Sequence, residues 1–259
     1  GKRYLVSCLV GSEMFIRDSI NADDEFAPYW KSLNQKRKII TFGVVKEADV
    51  SATYNTLSTH TLIKMKTPEG RIEFKLNVLG KHNVSNALAA SAVAVALDIS
   101  PHDIAQGLAQ FEGVQGRLEL HVGHQEAVVI DDTYNANPDS MKAAIEVLVS
   151  QNNAKDDFIF VMGDMAELGS DAELMHAEVG QYANQKGVTR LFSFGKLSEA
   201  ASIAFGVGGQ HFKSLDELIG AVKAEMHGDM CVLVKGSRAM RMERVVKAIV
   251  KENNLGSTH

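Results

Sequence analysis

The chain has 259 residues, of which 45% are apolar and 23% charged, and its net charge is −5. That balance excludes a mainly disordered chain, and 21 Gly with 4 Pro exclude a collagen. Two Cys cannot staple a chain of this length, so the core must come from apolar burial, with a reducing compartment as the expected setting.

Residues 1–10 carry Lys2 and Arg3 ahead of a short apolar run. No small-residue cleavage site follows, so no signal peptide is expected. Lys38–Val45 and Ser51–Tyr54 read as extended. Thr59–Lys66 and Arg71–Val78 flank Thr67-Pro68-Glu69-Gly70. This is a turn in which Pro presets one φ and Gly accepts a positive one. Asn83–Leu97 is rich in Ala and Leu and reads as a buried helix. Ser100 caps and Pro101 opens a second helix that runs to the neighbourhood of Phe111.

The pattern changes near residue 113, which sets a domain boundary between 1–113 and 114–259. Leu118–Val122 and Ala127–Asp131 read as a hairpin pair around Gly123. Asn137 caps and Pro138 opens a helix with Met141, Ala144, Ile145, Leu148 and Val149 on one face. Phe158–Met162 is an apolar run of strand length, Glu173–Lys186 is helical, and Arg190–Phe194 is a short strand. Ser214 and Glu217 have capping-box spacing before Leu215, Leu218, Ile219 and Val222. Met230–Val234 is another buried strand, and Met242, Val245, Val246, Ile249 and Val250 share one face of a final helix. Alternating strands and helices with continuous apolar strands predict an α/β fold with a mostly parallel sheet covered on both faces.

Lys and Arg are scattered, which argues against nucleic acid and against a polybasic membrane anchor. The longest nearly apolar stretch, Ala87–Leu97, falls far short of the roughly 18 residues of a membrane span. No phosphate-cradling P-loop, zinc spacing or Gly-x-Ser-x-Gly elbow occurs. Gly206-Val207-Gly208-Gly209-Gln210-His211 mimics a dinucleotide fingerprint but leads into a strand, so it is set aside.

In open α/β sheets, ligands bind outside the carboxyl ends of the strands. Three polar loops follow predicted strands: Asp132-Thr133-Tyr134-Asn135-Ala136-Asn137-Pro138, Gly163-Asp164-Met165-Ala166-Glu167-Leu168-Gly169, and Lys235-Gly236-Ser237-Arg238. On one rim they would suit a ligand with phosphates and hydroxyls. Each also has a plainer reading. Asn137-Pro138 is first a helix cap, Asp164 and Glu167 can be capping acids, and Gly236-Ser237 can simply start a helix. A second group, Gly80-Lys81-His82-Asn83-Val84-Ser85-Asn86, puts Asn83 and Asn86 on one face of a helix start. Paired amides there can read a heteroaromatic edge, although capping is the commoner role.

These segments, with Gly116-Arg117-Leu118-Glu119 between them, occur in the order seen in Mur ligases, and the chain resembles that family from about Ile20 to Lys251. The Tyr-Asn-Ala-Asn-Pro and Gly-Asp-Met-x-Glu-Leu-Gly forms are similar to the branch that joins D-alanyl-D-alanine to UDP-N-acetylmuramoyl-tripeptide. The resemblance implies the C-terminal part of a P-loop-type central ATPase domain, followed by a Rossmann-like domain. It implies ATP and Mg2+ as cofactors, an acyl phosphate route to the amide bond, a cytoplasmic setting and a monomer. By the same resemblance Asn86, with Asn83 beside it, would contact adenine, Arg117 the phosphates and Asp132 the ribose hydroxyls. Tyr134, Asn135, Asn137, Asp164, Glu167 and Ser237 would face the peptide substrates, with Lys235 and Ser237 joining Arg117 in catalysis and no metal ligand in this chain. A related Mur or folylpolyglutamate-type ligase, or a non-catalytic nucleotide-binding module, are the alternatives on the same fold. Two features depart from the family. Its P-loop is absent, so a fragment without turnover is expected, and residues 5–19 do not look like the family, so they are expected to be foreign and to pack poorly.

Overall fold

The computed structural model describes residues 17–35, 37–57, 59–151 and 157–251, and its contacts divide the chain into units 1–112 and 113–259. In the first unit, β1 (Arg17–Asn21), β2 (Lys38–Gly43), β3 (Val50–Thr56), β4 (Thr61–Thr67) and β5 (Gly70–Leu76) lie side by side in chain order. The pairs β1–β2 and β2–β3 are parallel, and the rest are antiparallel. Strict alternation along β4 turns Thr61, Ile63, Met65 and Thr67 inward. There Ile63 and Met65 share a core with Val84, Leu88, Ala92 and Val95 of α2 (Lys81–Ala96). Ser100 accepts from the Asp103 amide and opens α3 (Pro101–Ala109).

Two features of this unit escape the sequence pattern. One is α1 (Ala27–Leu33), a short helix that leaves Tyr29 and Leu33 exposed and so shows no apolar stripe. The other is β1. Its Arg17, Asp18 and Ser19 pair with Lys38, Ile39 and Ile40, and Asp18 and Ser19 are buried. The expectation of poor packing is therefore corrected for 17–19, because a polar strand at a parallel pairing is held by its backbone rather than by apolar alternation. Residues 5–16, with Leu5, Leu9, Val10 and Phe15, lie outside the described residues.

The second unit holds β6 (Glu119–Val122), β7 (Val128–Asp132), β8 (Asp157–Gly163), β9 (Arg190–Phe194), β10 (Gly209–Phe212) and β11 (Met230–Lys235), in the order β10-β9-β8-β11-β7-β6. All pairs are parallel except β6–β7, the expected hairpin. The central strand β11 is buried along its whole length, as its apolar run requires. On one face, Val129, Ile159, Val161, Val232 and Val234 pack with α7 (Leu215–Glu225) and α8 (Glu243–Ile249). The helix α4 (Pro138–Ser150) lies against β8 and β11, burying Met141, Ile145 and Leu148 completely. The helices α5 (Ala172–Gln185) and α6 (Glu199–Phe205) complete the unit. Burial pushes the Cys231 thiol of β11 up to about 12, so it is an inert core group.

The Ser214 hydroxyl caps α7 by accepting from the Asp216 amide at 3.2 Å, one residue short of the capping-box position expected at Glu217. Gly206 and Gly208 take φ of +82° and +93° on the way into β10. That geometry delivers a strand, not a helix N-terminus facing a pyrophosphate. No described helix is long and apolar enough to cross a membrane.

Chain order decides where the polar loops fall. The connection from β7 to β8 skips one slot, which β11 fills last. The carboxyl ends of these three parallel strands therefore share one rim, at the point where strand order reverses.

In the first unit, Asp23 joins the end of β1 to the loop after β2. Its carboxylate accepts from Val44 N (2.7 Å), Lys46 N (2.7 Å) and Val45 N (3.1 Å). Burial pushes its pKa upward, but the Lys46, Val44 and Val45 amides together outweigh burial and hold the carboxyl below its ordinary value. Asp23→Asn replaces an acceptor with an NH2 group that faces these donors. It is expected to destabilise the unit by about 1–2 kcal/mol at neutral pH, read by urea unfolding through Trp30 fluorescence. The stabilisation is present above the ordinary carboxylate pKa and is lost as pH falls through the depressed value. The deficit of the variant therefore shrinks in acid, and equal stability of both proteins at neutral pH would contradict the clasp.

Candidate active site

The rim is organised by one buried cation. Lys235 ends β11 directly opposite Asp132, which ends β7. Its Nζ lies 2.6 Å from Asp132 Oδ2 and donates to the Asn135 carbonyl at 2.8 Å. The lysine side chain is 3% exposed and that of Asp132 13%. Lys235 is thus turned inward, and its charge is spent on fixing the Asp132 carboxylate and the loop after β7. Among the described residues no protein donor reaches Asp132 Oδ1, so one carboxylate oxygen remains available to a hydroxyl ligand.

A second carboxylate bolts the next loops together. Asp164 follows β8 and accepts from Lys196 N (2.9 Å), Leu197 N (3.0 Å) and Ser198 N (2.8 Å). Its own carbonyl accepts from Ser237 N at 2.9 Å, which ties β8 to the loop after β11. Gly195 sits at φ +132°, and a Cβ there would fall 2.2 Å from Asp164 Oδ1, so only glycine fits. Both Asp164 oxygens are therefore occupied by backbone. Ser237 is buried beside it, whereas Glu167 is exposed at φ +61°. His176 of α5 is fully buried, and its Nε2 accepts from Met165 N at 2.8 Å while Nδ1 lies 2.6 Å from the Ala172 carbonyl. These partners fix a neutral tautomer with the proton on Nδ1. Sequence reading passed over His176, because a lone His in a helix carries no signal until its partners are placed.

Asn137 is a cap: its Oδ1 accepts from Ser140 N at 2.8 Å, and Ser140 Oγ accepts from Asn137 N at 3.0 Å. Asn135 Oδ1 accepts from Ala136 N at 2.8 Å, so its side chain is locally engaged while its carbonyl serves Lys235. Tyr134 stands exposed, and the Arg117 guanidinium lies 4.4 Å from its ring centroid. Beneath them Asp131 is buried, and its Oδ1 accepts from Thr133 N (3.0 Å) and Thr133 Oγ1 (2.6 Å). Asp131 also faces Glu119 and His121. In the first unit, Asn83 Nδ2 donates to the Leu79 carbonyl at 2.7 Å, and Asn86 lies beside it with its side chain exposed. The structure therefore brings Arg117, Asp132, Tyr134, Asn135, Asn137, Asp164, Lys235 and Ser237 onto the strand ends and loops of one unit. Asn83 and Asn86 form a pair of their own at the start of α2.

Comparison with known proteins follows this division. The Mur ligase middle domain matches residues 12–94, and the Mur ligase glutamate ligase domain matches residues 116–238. The UDP-N-acetylmuramoyl-tripeptide–D-alanyl-D-alanine ligase of Escherichia coli K12 is 38% identical over 235 residues, covering 89% of this chain and 51% of that protein. The enzyme of the same name from Bacillus subtilis is 37% identical over 185 residues, 69% of this chain and 40% of that protein. A crystal structure of MurF from Acinetobacter baumannii superposes with a TM-score of 0.80 at 33% identity, over 90% of this chain and 51% of that one. MurF from Thermotoga maritima in complex with ADP shares the fold, with a TM-score of 0.76 at 21% identity, over 92% of this chain and 53% of that one. The chain spans about half the length of the curated relatives it matches.

Asp131 offers a test of the polar layer under Arg117. Burial lifts its pKa above the ordinary value, against the opposing pull of the Thr133 hydrogen bonds and of His121. A raised carboxyl pKa means that the folded state holds the proton longer, so stability falls as pH climbs through that window. Asp131→Asn keeps an acceptor for Thr133 and removes the titration. Chemical unfolding from about pH 4 to about pH 7 should show the variant gaining on the native protein as pH rises. A difference independent of pH would contradict the assignment.

Proposed function

The chain belongs to the Mur ligase family, and from that premise we propose that it serves an ATP-dependent amide-bond ligase of peptidoglycan precursor synthesis. The reaction proposed joins D-alanyl-D-alanine to UDP-N-acetylmuramoyl-tripeptide in the cytoplasm, in a monomeric enzyme. The observation that carries this reading is the Asp132 carboxylate, held by a buried lysine at the strand-order switch point with one oxygen left over. A fixed carboxylate with a spare acceptor fits the diol of a ribose, which presents two adjacent donors.

In this reading Asp132 Oδ1 accepts from a ribose hydroxyl, and Lys235 holds the carboxylate in place. The exposed Arg117 guanidinium offers planar N–H donors to a phosphate. Asn86, with Asn83 beside it at the start of α2, offers amides whose donors and acceptors suit an adenine edge. Asp164 acts through the backbone, holding the loops after β8, β9 and β11 in place. Tyr134, Glu167 and Ser237 border the region where the peptide substrates would lie, with Asn135 and Asn137 shaping its backbone. ATP, when bound, supplies the phosphoryl group that activates the tripeptide carboxylate toward the amine of D-alanyl-D-alanine. Among the described residues the group of ligand-type side chains is Glu119, His121 and Asp131. An imidazole and a carboxylate already engaged by Thr133 suit Mg2+ poorly, so no step is assigned to that ion from this chain.

Calorimetric titration with ADP and with its 2′,3′-dideoxy analogue tests the reading. The native chain should bind ADP about tenfold or more tightly than the dideoxy form, as expected for hydrogen bonds to a charged acceptor. Asp132→Asn should erase most of that preference. Equal binding of the two nucleotides by the native chain would sink the proposed role of Asp132.

A further inference from the structure

We propose that Tyr134 is a positioning residue whose ring holds the Arg117 guanidinium ready for a nucleotide phosphate. The assignment rests on the reading of Arg117 as the phosphate ligand and adds a residue that acts through it. Arg117 Cζ lies 4.4 Å from the Tyr134 ring centroid, within cation–π range. Among the described residues no carboxylate forms an ion pair with Arg117. That difference matters chemically. A carboxylate partner would neutralise the guanidinium and compete with phosphate for the same N–H groups. An aromatic face restrains the side chain while leaving its charge and its in-plane donors free.

The backbone builds this contact deliberately. Tyr134 N donates to the Gly116 carbonyl at 3.0 Å, which sets the ring beside residue 117. Gly116 has φ +71°, and a Cβ there would lie 3.2 Å from Tyr134 N and 3.3 Å from Thr133 Oγ1. The close approach of the two loops therefore needs glycine at 116. From below, Glu119 Oε2 accepts from Gly116 N at 3.4 Å, and Asp131 holds Thr133 by its amide and its hydroxyl. Both loops are pinned to the β6–β7 hairpin, and what stands exposed above them is a large aromatic ring with a cation stacked on it. Tyr134 is also two residues beyond Asp132, so the same loop carries the proposed diol acceptor and the support for the proposed phosphate donor.

The test compares ADP with adenosine on the 259-residue chain, using Tyr134→Phe, Tyr134→Leu and Arg117→Gln, alongside NMR of the Arg117 Nε–Hε group. The native protein and Tyr134→Phe should show the ring-current upfield shift of Hε, and Tyr134→Leu should lose it. In Tyr134→Leu the preference for ADP over adenosine should fall about three- to tenfold, the scale of losing one pre-ordered side chain. Adenosine affinity should be unchanged, Tyr134→Phe should keep the native preference, and Tyr134→Leu should add nothing in the Arg117→Gln background. An unaltered preference in Tyr134→Leu, an equal loss for adenosine, or a Phe variant as poor as Leu would overturn the assignment alone. A native chain that binds no ADP would overturn the nucleotide reading and this assignment with it.

Discussion

The candidate site depends on a lysine buried where a charge is expensive. Removing an ammonium from water is unfavourable by several kcal/mol unless it is paired and hydrogen-bonded. Lys235 meets that demand with two partners from one loop, the Asp132 carboxylate and the Asn135 carbonyl. The requirement works in both directions. Asp132 cannot swing toward solvent without stranding the lysine, and the loop cannot shift its Asn135 carbonyl without removing a hydrogen bond. A flexible acidic residue at a strand end thus becomes a fixed acceptor.

The other carboxylates of the chain end differently. Asp23 and Asp164 each collect three backbone amides and tie neighbouring loops, while Asp131 spends one oxygen on Thr133. Asp23 and Asp164 have both oxygens taken up by backbone, and Asp131 is buried beneath the loop. Asp132 is held by a side chain instead, and one of its oxygens has no protein donor among the described residues. Arg117 shows the same economy of contact on the other side of the loop, restrained by a ring rather than by an opposing charge. A site of this kind keeps its polar groups oriented and still unsatisfied, which is what recognition of a hydroxylated and phosphorylated ligand requires.

Much of this architecture was legible in the residues. Apolar runs placed β8 and β11, the Asn137-Pro138 pair placed the start of α4, and Arg190–Phe194 matched β9 residue for residue. Such features are local, set by periodicity and by capping. What stayed hidden was long-range. Nothing near Lys235 in the chain says that its amine reaches back to Asn135, one hundred residues earlier. Asp164 read as a helix-capping acid or a ligand, and only the fold shows it receiving amides from residues 196–198. The strand β1 was obscured because Arg17, Asp18 and Ser19 look like surface, and α1 because its aromatic residues are partly exposed.

The pairing of Asp132 with Lys235 is tested most directly by a double-mutant cycle of Asp132→Asn and Lys235→Met, read by chemical unfolding of the chain. Asp132→Asn strands the ammonium and should destabilise by about 3–5 kcal/mol, whereas Lys235→Met leaves a carboxylate nearer to solvent and should do less harm. The double variant should recover much of the loss, since an apolar side chain then occupies the buried position beside a neutral amide. Additivity of the two changes within about 0.5 kcal/mol would mean that the two groups do not depend on each other, and would contradict the account.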